Sequence, residues 1–282
     1  MDVLIVRPLG GLANRIRVIK AAQSFASGHG ARLILIWDKD NVLNARFEEC
    51  FDTMPGVKII NVSYSGYGVF REIQRKIIHR LYLLSIQLTT QTQVFDREAK
   101  KHLPLDADAN QRNSFFDKLA VQFKRVYIQT CYDFYPHQDD FFMPFREDLL
   151  EKFSIPKNWE DVIGIHVRRG DNSMSKQYSP LEMFIIKMNE LIYINPAIKF
   201  YVSTDSDEVY EKLKTLFGDS MYTTAIVRTR DTLAGIQSAL LDLYCLSKCK
   251  KIVGSYDSSF SEVAAKMGGI PLEVIFLKKQ MD

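Results

Sequence analysis

Two hydrophobic periods alternate along this chain, and their order predicts a layered α/β protein. Val3–Val6 is a short apolar run with β-branched residues, broken by Pro8 and Gly10-Gly11. Leu12, Ile16, Ile19, Ala22 and Ala26 then recur at close to helical spacing until Gly28-His29-Gly30. Leu33–Trp37 is a second apolar strand, so the chain opens as a βαβ unit with a parallel sheet. The segment 60–125 is less legible. Phe70 to Leu88 has the pattern of an amphipathic helix with a basic face, and 96–113 reads as loop or short helix. Val126–Gln129 is a strand, and Arg146–Phe153 a helix ended by Ile155-Pro156-Lys157-Asn158-Trp159.

The second half alternates more cleanly. Strand Val162–Val167 is followed by a helix that takes Ser179 as N-cap and Pro180 as its first residue, and that runs to Tyr193. Next come strand Ile198–Ser203, helix Glu208–Leu216, strand Thr224–Val227 and helix Asp231–Leu246. Strand Lys251–Gly254, helix Ser259–Lys266 and strand Leu272–Phe276 complete a second doubly wound sheet. The pattern predicts two Rossmann-like domains, residues 1–156 and 157–282, with a cleft between them.

Composition narrows the classes. The 282 residues are 46% apolar, enough for substantial cores, and 37 basic against 34 acidic residues leave a formal charge of +3. So small an excess argues against nucleic acid, which calls for a clustered basic face. Cys50, Cys131, Cys245 and Cys249 have no zinc-ligand spacing and read as buried free thiols, which fits a reducing, cytoplasmic setting. No apolar stretch reaches the roughly 20 residues of a membrane span. The Lys76–Leu88 helix is of a kind that can make peripheral membrane contact.

Four strand-end segments carry candidate chemistry. His166-Val167-Arg168-Arg169-Gly170-Asp171 ends a buried strand in two guanidinium groups, whose rigid donor forks match phosphate oxygens. Arg168 and Arg169 would neutralise a diphosphate, Gly170 would let the backbone approach, and Asp171 would brace the loop. His166 shares a strand face with Arg168. Ser258, Ser259 and Phe260 open a helix after a strand, where free N–H groups favour phosphate, although Ser and Asp there also serve as plain caps. Asp205-Ser206-Asp207 is a D-x-D pattern that can hold a divalent cation, but Asp207 fits a first-turn helix acid, which leaves Asp205 as a hydrogen-bond partner. Gly10-Gly11-Leu12-Ala13-Asn14-Arg15 turns from the first strand into a helix without matching a dinucleotide or P-loop fingerprint. Asp38, past the end of the second strand, is a candidate base.

Together these segments, with Ser203-Thr204-Asp205 and the stretch Asp231–Ala264, resemble the fucosyltransferase superfamily of GT-B glycosyltransferases. Its branches include α1,2- and α1,6-fucosyltransferases, nodulation fucosyltransferases and protein O-fucosyltransferases. The likeness touches both halves and leaves the middle third unmatched. It implies an inverting, metal-independent transfer from GDP-fucose to a glycan hydroxyl, with no cofactor. It further implies that Arg168 contacts the diphosphate, that Asp242 lies near the nucleotide, that Ser258 and Ser259 bind phosphate, and that Asn14, with Gly11 and Arg15, reaches the donor side. Some relatives carry a glutamate base where this chain has Gly10-Gly11, so the base is open. Two alternatives stand beside this reading: another donor such as UDP- or GDP-xylose, and a non-catalytic carbohydrate- or nucleotide-binding protein.

Overall fold

The structure is a computed structural model that describes residues 1–63, 69–103, 113–139, 141–151, 158–224, 227–229 and 231–277. The chain divides into two compact units, Met1–Gln138 and Asp139–Asp282. The division falls ahead of the Ile155–Trp159 break expected from sequence, of which 155–157 lie outside the described residues. The segment before that break belongs with the second unit: the Phe145 ring meets Tyr244 edge-on at 5.9 Å.

The first unit runs β1 (Val3–Pro8), α1 (Leu12–Gly28), β2 (Arg32–Lys39), β3 (Val57–Ser63), α2 (Val69–Thr89), β4 (Thr92–Phe95), α3 (Asp96–Lys101), α4 (Ser114–Gln122) and β5 (Arg125–Thr130). Its strands are parallel in the order β3-β2-β1-β5-β4. Every residue of β1 is buried, as expected of a central strand with both faces covered. Sequence periodicity reads α1 and α2 closely but misses β3, β4 and α4. β3 alternates half-buried and exposed residues and β4 has four, so neither gives a strong apolar run. Of the four thiols, Cys131 is only half-buried.

The second unit runs α5 (Glu147–Leu150), β6 (Val162–Val167), α6 (Ser173–Tyr178), α7 (Leu181–Ile194), β7 (Lys199–Thr204), α8 (Asp207–Phe217), β8 (Met221–Tyr222), α9 (Leu233–Lys248), β9 (Lys251–Ser255), α10 (Ser259–Gly268) and β10 (Leu272–Ile275). The order β10-β9-β6-β7-β8 is again fully parallel. Ile163, Ile165 and Val167 of β6 pack with Phe184 and Met188 of α7 and with Leu213 and Phe217 of α8. The other face is closed by α9 and α10, which approach so tightly that a Cβ on Gly164 would lie 2.8 Å from Leu246 Cδ2.

Three expectations are revised. Ser179 does not cap α7, because Pro180 holds that position and the Ser179 N–H closes α6 on Ser175 O at 2.9 Å. Of the strand expected at Thr224–Val227, the described residues Thr224 and Val227 lie outside any strand. β8 pairs with β7 only at Met221 and Tyr222, Thr224 turns its hydroxyl toward Asp242 at 3.3 Å, and 225–226 lie outside the described residues. The helix expected at Arg146–Phe153 is one turn, Glu147–Leu150, and 152–153 are likewise not described.

Gly254 sets how closely α10 approaches β9. A Cβ there would sit 2.7 Å from Ser261 Oγ and 2.8 Å from Ser261 Cβ. Gly254→Ala is expected to cost about 1–3 kcal/mol by overpacking, read as a lower urea midpoint.

Candidate functional site

In the second sheet the strand order reverses between β6 and β9, because β7 follows β6 on one side and β9 lies on the other. In open α/β sheets ligands bind outside the carboxyl ends of the strands at such a point. The loops after β6, β7 and β9 meet there.

The arginine loop is held from both flanks. From the β9 side, Ser255 Oγ accepts the Arg168 N–H at 2.9 Å and donates to His166 O at 3.3 Å. From the β7 side, Asp205 accepts the Arg169 N–H at 2.7 Å and forms an ion pair with the Arg168 guanidinium. Asp171, two-thirds exposed, pairs with the other arm of Arg168. Gly170 lies over Asp205 with φ +24°, and a Cβ would fall 2.5 Å from Asp205 Oδ2, so only glycine closes this turn. Arg169 turns back into its own loop, donating to Arg168 O at 2.8 Å and to Ser179 O at 3.0 Å. It braces the loop, and Arg168 is the guanidinium set at the strand ends.

The β9–α10 turn is sewn to the same loop by residues not singled out from the sequence. Asn172, the N-cap of α6, donates to Asp257 O at 2.8 Å. Ser175 donates to Tyr256 O at 2.6 Å, and Ser179 Oγ accepts the Tyr256 N–H at 2.8 Å. The signal was present as Asn-x-x-Ser at 172–175, an N-cap pattern directly after the motif. Ser258 is the N-cap of α10, yet its side chain makes no capping bond, so the first-turn N–H groups are not satisfied by it. Ser259 is the first residue of that helix. The Phe260 ring stacks on His166 at 4.9 Å. His166 is buried with Nδ1 unpartnered, and burial, then the charge of Arg168, pushes it down to about 3, so it is a neutral imidazole.

Asp242, expected near the nucleotide, is buried and hydrogen-bonded inward. Its carboxylate accepts from Tyr201 (2.6 Å), Ser203 (2.8 Å) and Thr224 (3.3 Å). Burial raises it to about 6 against the pull of those donors. Asp207 pairs with Arg228 at 2.8 Å in the first turn of α8. Among the described residues no group of three His, Cys, Asp or Glu gathers to hold a metal ion.

In the first unit, Gly10 (φ +81°) and Gly11 form the β1–α1 turn, with Asn14 folded over Gly10 and its Oδ1 buried without a partner. Arg15 is 1% exposed, donating to Gly10 O at 2.8 Å and to Asp40 at 3.0–3.1 Å, with a further bond to Asp38 O, so it braces the turn from within. Asp38 is 2% exposed and receives Arg7 Nε at 2.7 Å on Oδ2, while its Oδ1 is buried without a hydrogen-bond partner.

No protein-family model and no curated protein sequence matches the chain significantly. Solved structures do match in fold. The NodZ α-1,6-fucosyltransferase of Bradyrhizobium, co-crystallised with GDP, superposes with a TM-score of 0.58 at 18% identity, over 94% of this chain and 92% of that one. Arabidopsis thaliana FUT1, as a mutant in complex with GDP, gives 0.61 at 12% identity, over 99% and 71%. POFUT1 in complex with GDP-fucose gives 0.50 at 10% identity, over 97% and 98%. The fold is the one these fucosyltransferases share. Its GT-B-type architecture of two Rossmann-like parallel sheets is the one expected from the sequence. Within this GT-B-type fold the arginine loop stands at the switch point of the second sheet.

Asp38→Asn leaves the Arg7 charge in the interior without its ion-pair partner, and is expected to cost about 3–5 kcal/mol in chemical denaturation. Unchanged stability would refute the weight given to that pair. His166 and Asp242 make opposed contributions to stability in acid. Buried His166 resists protonation, so its contribution is full above its ordinary 6.5 and is lost as pH falls toward about 3. Buried Asp242 prefers its proton, so its contribution is full below 3.8 and is lost as pH rises through about 6. The two slopes offset between about pH 4 and 6. Asp242→Asn exposes the His166 slope, and its stability should fall about 1.4 kcal/mol per pH unit more steeply on acidification than the wild type. Unfolding free energies across that window check this, and parallel curves would refute the buried titrations.

Proposed function

We propose that this chain is a glycosyltransferase that moves L-fucose from GDP-fucose to a glycan hydroxyl, with inversion and without a metal ion. The observation that carries the reading is the convergence of three strand-end loops on Arg168, beside a helix N-terminus that Ser258 does not cap, at the sheet's switch point. The fold-sharing structures support the donor: NodZ was solved with GDP and after soaking with GDP-fucose, and POFUT1 with GDP-fucose.

Transfer breaks the bond from the sugar's anomeric carbon to the diphosphate through an oxocarbenium-like state, and negative charge grows on the departing phosphate. Arg168 is oriented before the donor arrives, because Asp205 fixes one arm. The arm held by exposed Asp171 is the one a diphosphate would take over. The α10 N–H groups add a second source of positive potential. Both acids of the D-x-D pattern are engaged, Asp205 by the arginine loop and Asp207 by Arg228, so charge neutralisation falls to Arg168 and α10. A single displacement inverts the anomeric carbon and passes the acceptor proton to a base outside the pairs described above.

Arg168→Ala is expected to lower turnover about a hundred- to thousand-fold, the scale of losing one preorganised donor to a developing anion. Arg168→Lys should recover little, since an ammonium lacks the two-armed fork. Calorimetric titration should find GDP bound in preference to UDP. Wild-type-like turnover in Arg168→Ala, with circular dichroism unchanged, would sink the assignment.

A further inference from the structure

Helix α2 turns its apolar side outward. Ile73, Ile77, Leu81, Leu84 and Leu88 are 51%, 53%, 61%, 46% and 86% exposed. Their spacing of three and four residues puts them on one stripe, about 22 Å long at 1.5 Å per residue. Tyr82 and Ile86, on the opposite side, pack on Val3, Ile5, Ile36 and Tyr127 of the sheet. The stripe is therefore the solvent face of a helix whose inner face is already occupied. Aliphatic side chains are seldom left contiguous in water unless something covers them.

The charge of the helix says what. Its sequence holds Arg71, Arg75, Lys76 and Arg80 against the single acid Glu72. Removing those four bases and one acid from the chain's 37 and 34 leaves equal numbers of each. The whole formal excess of +3 thus resides in this helix. Arg80 is exposed at the margin of the stripe. A second copy of the chain is the poorer occupant, since a self-interface would bring two such basic helices together. An anionic surface with an apolar interior answers both features. No described helix is long and apolar enough to cross a membrane, so α2 would lie on the surface.

We propose that α2 docks this chain on an anionic lipid bilayer, the stripe entering the headgroup boundary and the exposed Arg80 at its margin meeting lipid phosphate. The inference rests on α2 alone and not on the donor chemistry. The full chain, sedimented with vesicles of mixed phosphatidylglycerol and phosphatidylcholine, should pellet about tenfold more than with phosphatidylcholine alone, and less as salt rises. The double variant Leu81→Glu, Leu88→Glu should lose the association with circular dichroism and Tm unchanged, because both positions face solvent. Failure of the wild type to pellet with either vesicle overturns the proposal. So does a wild-type dimer in analytical ultracentrifugation that the double variant dissolves without any vesicle binding. GDP calorimetry on the same preparations reports separately on the donor.

Discussion

The carboxylate of Asp205 is the constraint on which the candidate site depends. One oxygen takes the main-chain N–H of Arg169 and the other meets the guanidinium of Arg168, so a single side chain on the β7 loop fixes both the path and the charge of the β6 loop. The arrangement requires that nothing larger than hydrogen stand at position 170, which Gly170 satisfies. It also requires β6 to lie between β7 and β9, so that Ser255 can hold the other side. Sheet order, a glycine and two polar side chains therefore act as one device. It removes conformational freedom from an arginine before any anion arrives, which is the form of electrostatic complementarity that needs no reorganisation during a reaction.

The buried charges are handled by two different means. Asp38 is matched by a full opposite charge from Arg7, and Arg15 by Asp40. Asp242 is solvated by three hydroxyl donors, with Arg228 a weaker electrostatic influence than any of them, which leaves burial as the larger influence and its proton more tightly held. The difference follows from place. Ion pairs secure the turn that leaves β1 and β2, where backbone must be held open around Gly10-Gly11. Hydroxyl donors on β7 seat α9 on the sheet. In both cases a carboxylate that lies just past a strand end or on a helix near the site belongs to the scaffold.

Those placements explain which readings of the sequence held. Elements with long, regular apolar periods were legible almost to the residue: α1 spans Leu12–Gly28 and β6 spans Val162–Val167, as the periodicity requires. β3 and β4 were not, because edge positions relax the demand for apolar side chains. Ser179 was misassigned because Ser-Pro is a good N-cap pattern in isolation. Only the three-dimensional neighbour, Tyr256, shows that its hydroxyl is needed elsewhere. The motif residues Arg168, Arg169, Gly170 and Asp171 could be placed at a strand end because the apolar run Val162–Val167 stops directly before them. Asp38, Arg15 and Asp242 were not separable from site residues, since sequence gives a charge its neighbours along the chain and not its burial.

Burial also governs how far overall charge can guide function. The switch-point loops contain more acids than bases, and Asp171 and Asp205 together outnumber the one guanidinium they flank. A candidate anion seat of this kind leaves no mark on net charge. It rests on geometry, on one arm of Arg168 paired with an exposed carboxylate and on α10 N–H groups that the Ser258 side chain does not cap. The excess that does register in the composition lies on α2, where bases accompany an outward apolar stripe. A weakly basic total is thus two separate things in this molecule: a balanced strand-end cluster, and one helix whose sequence carries the excess and whose described outer face is apolar.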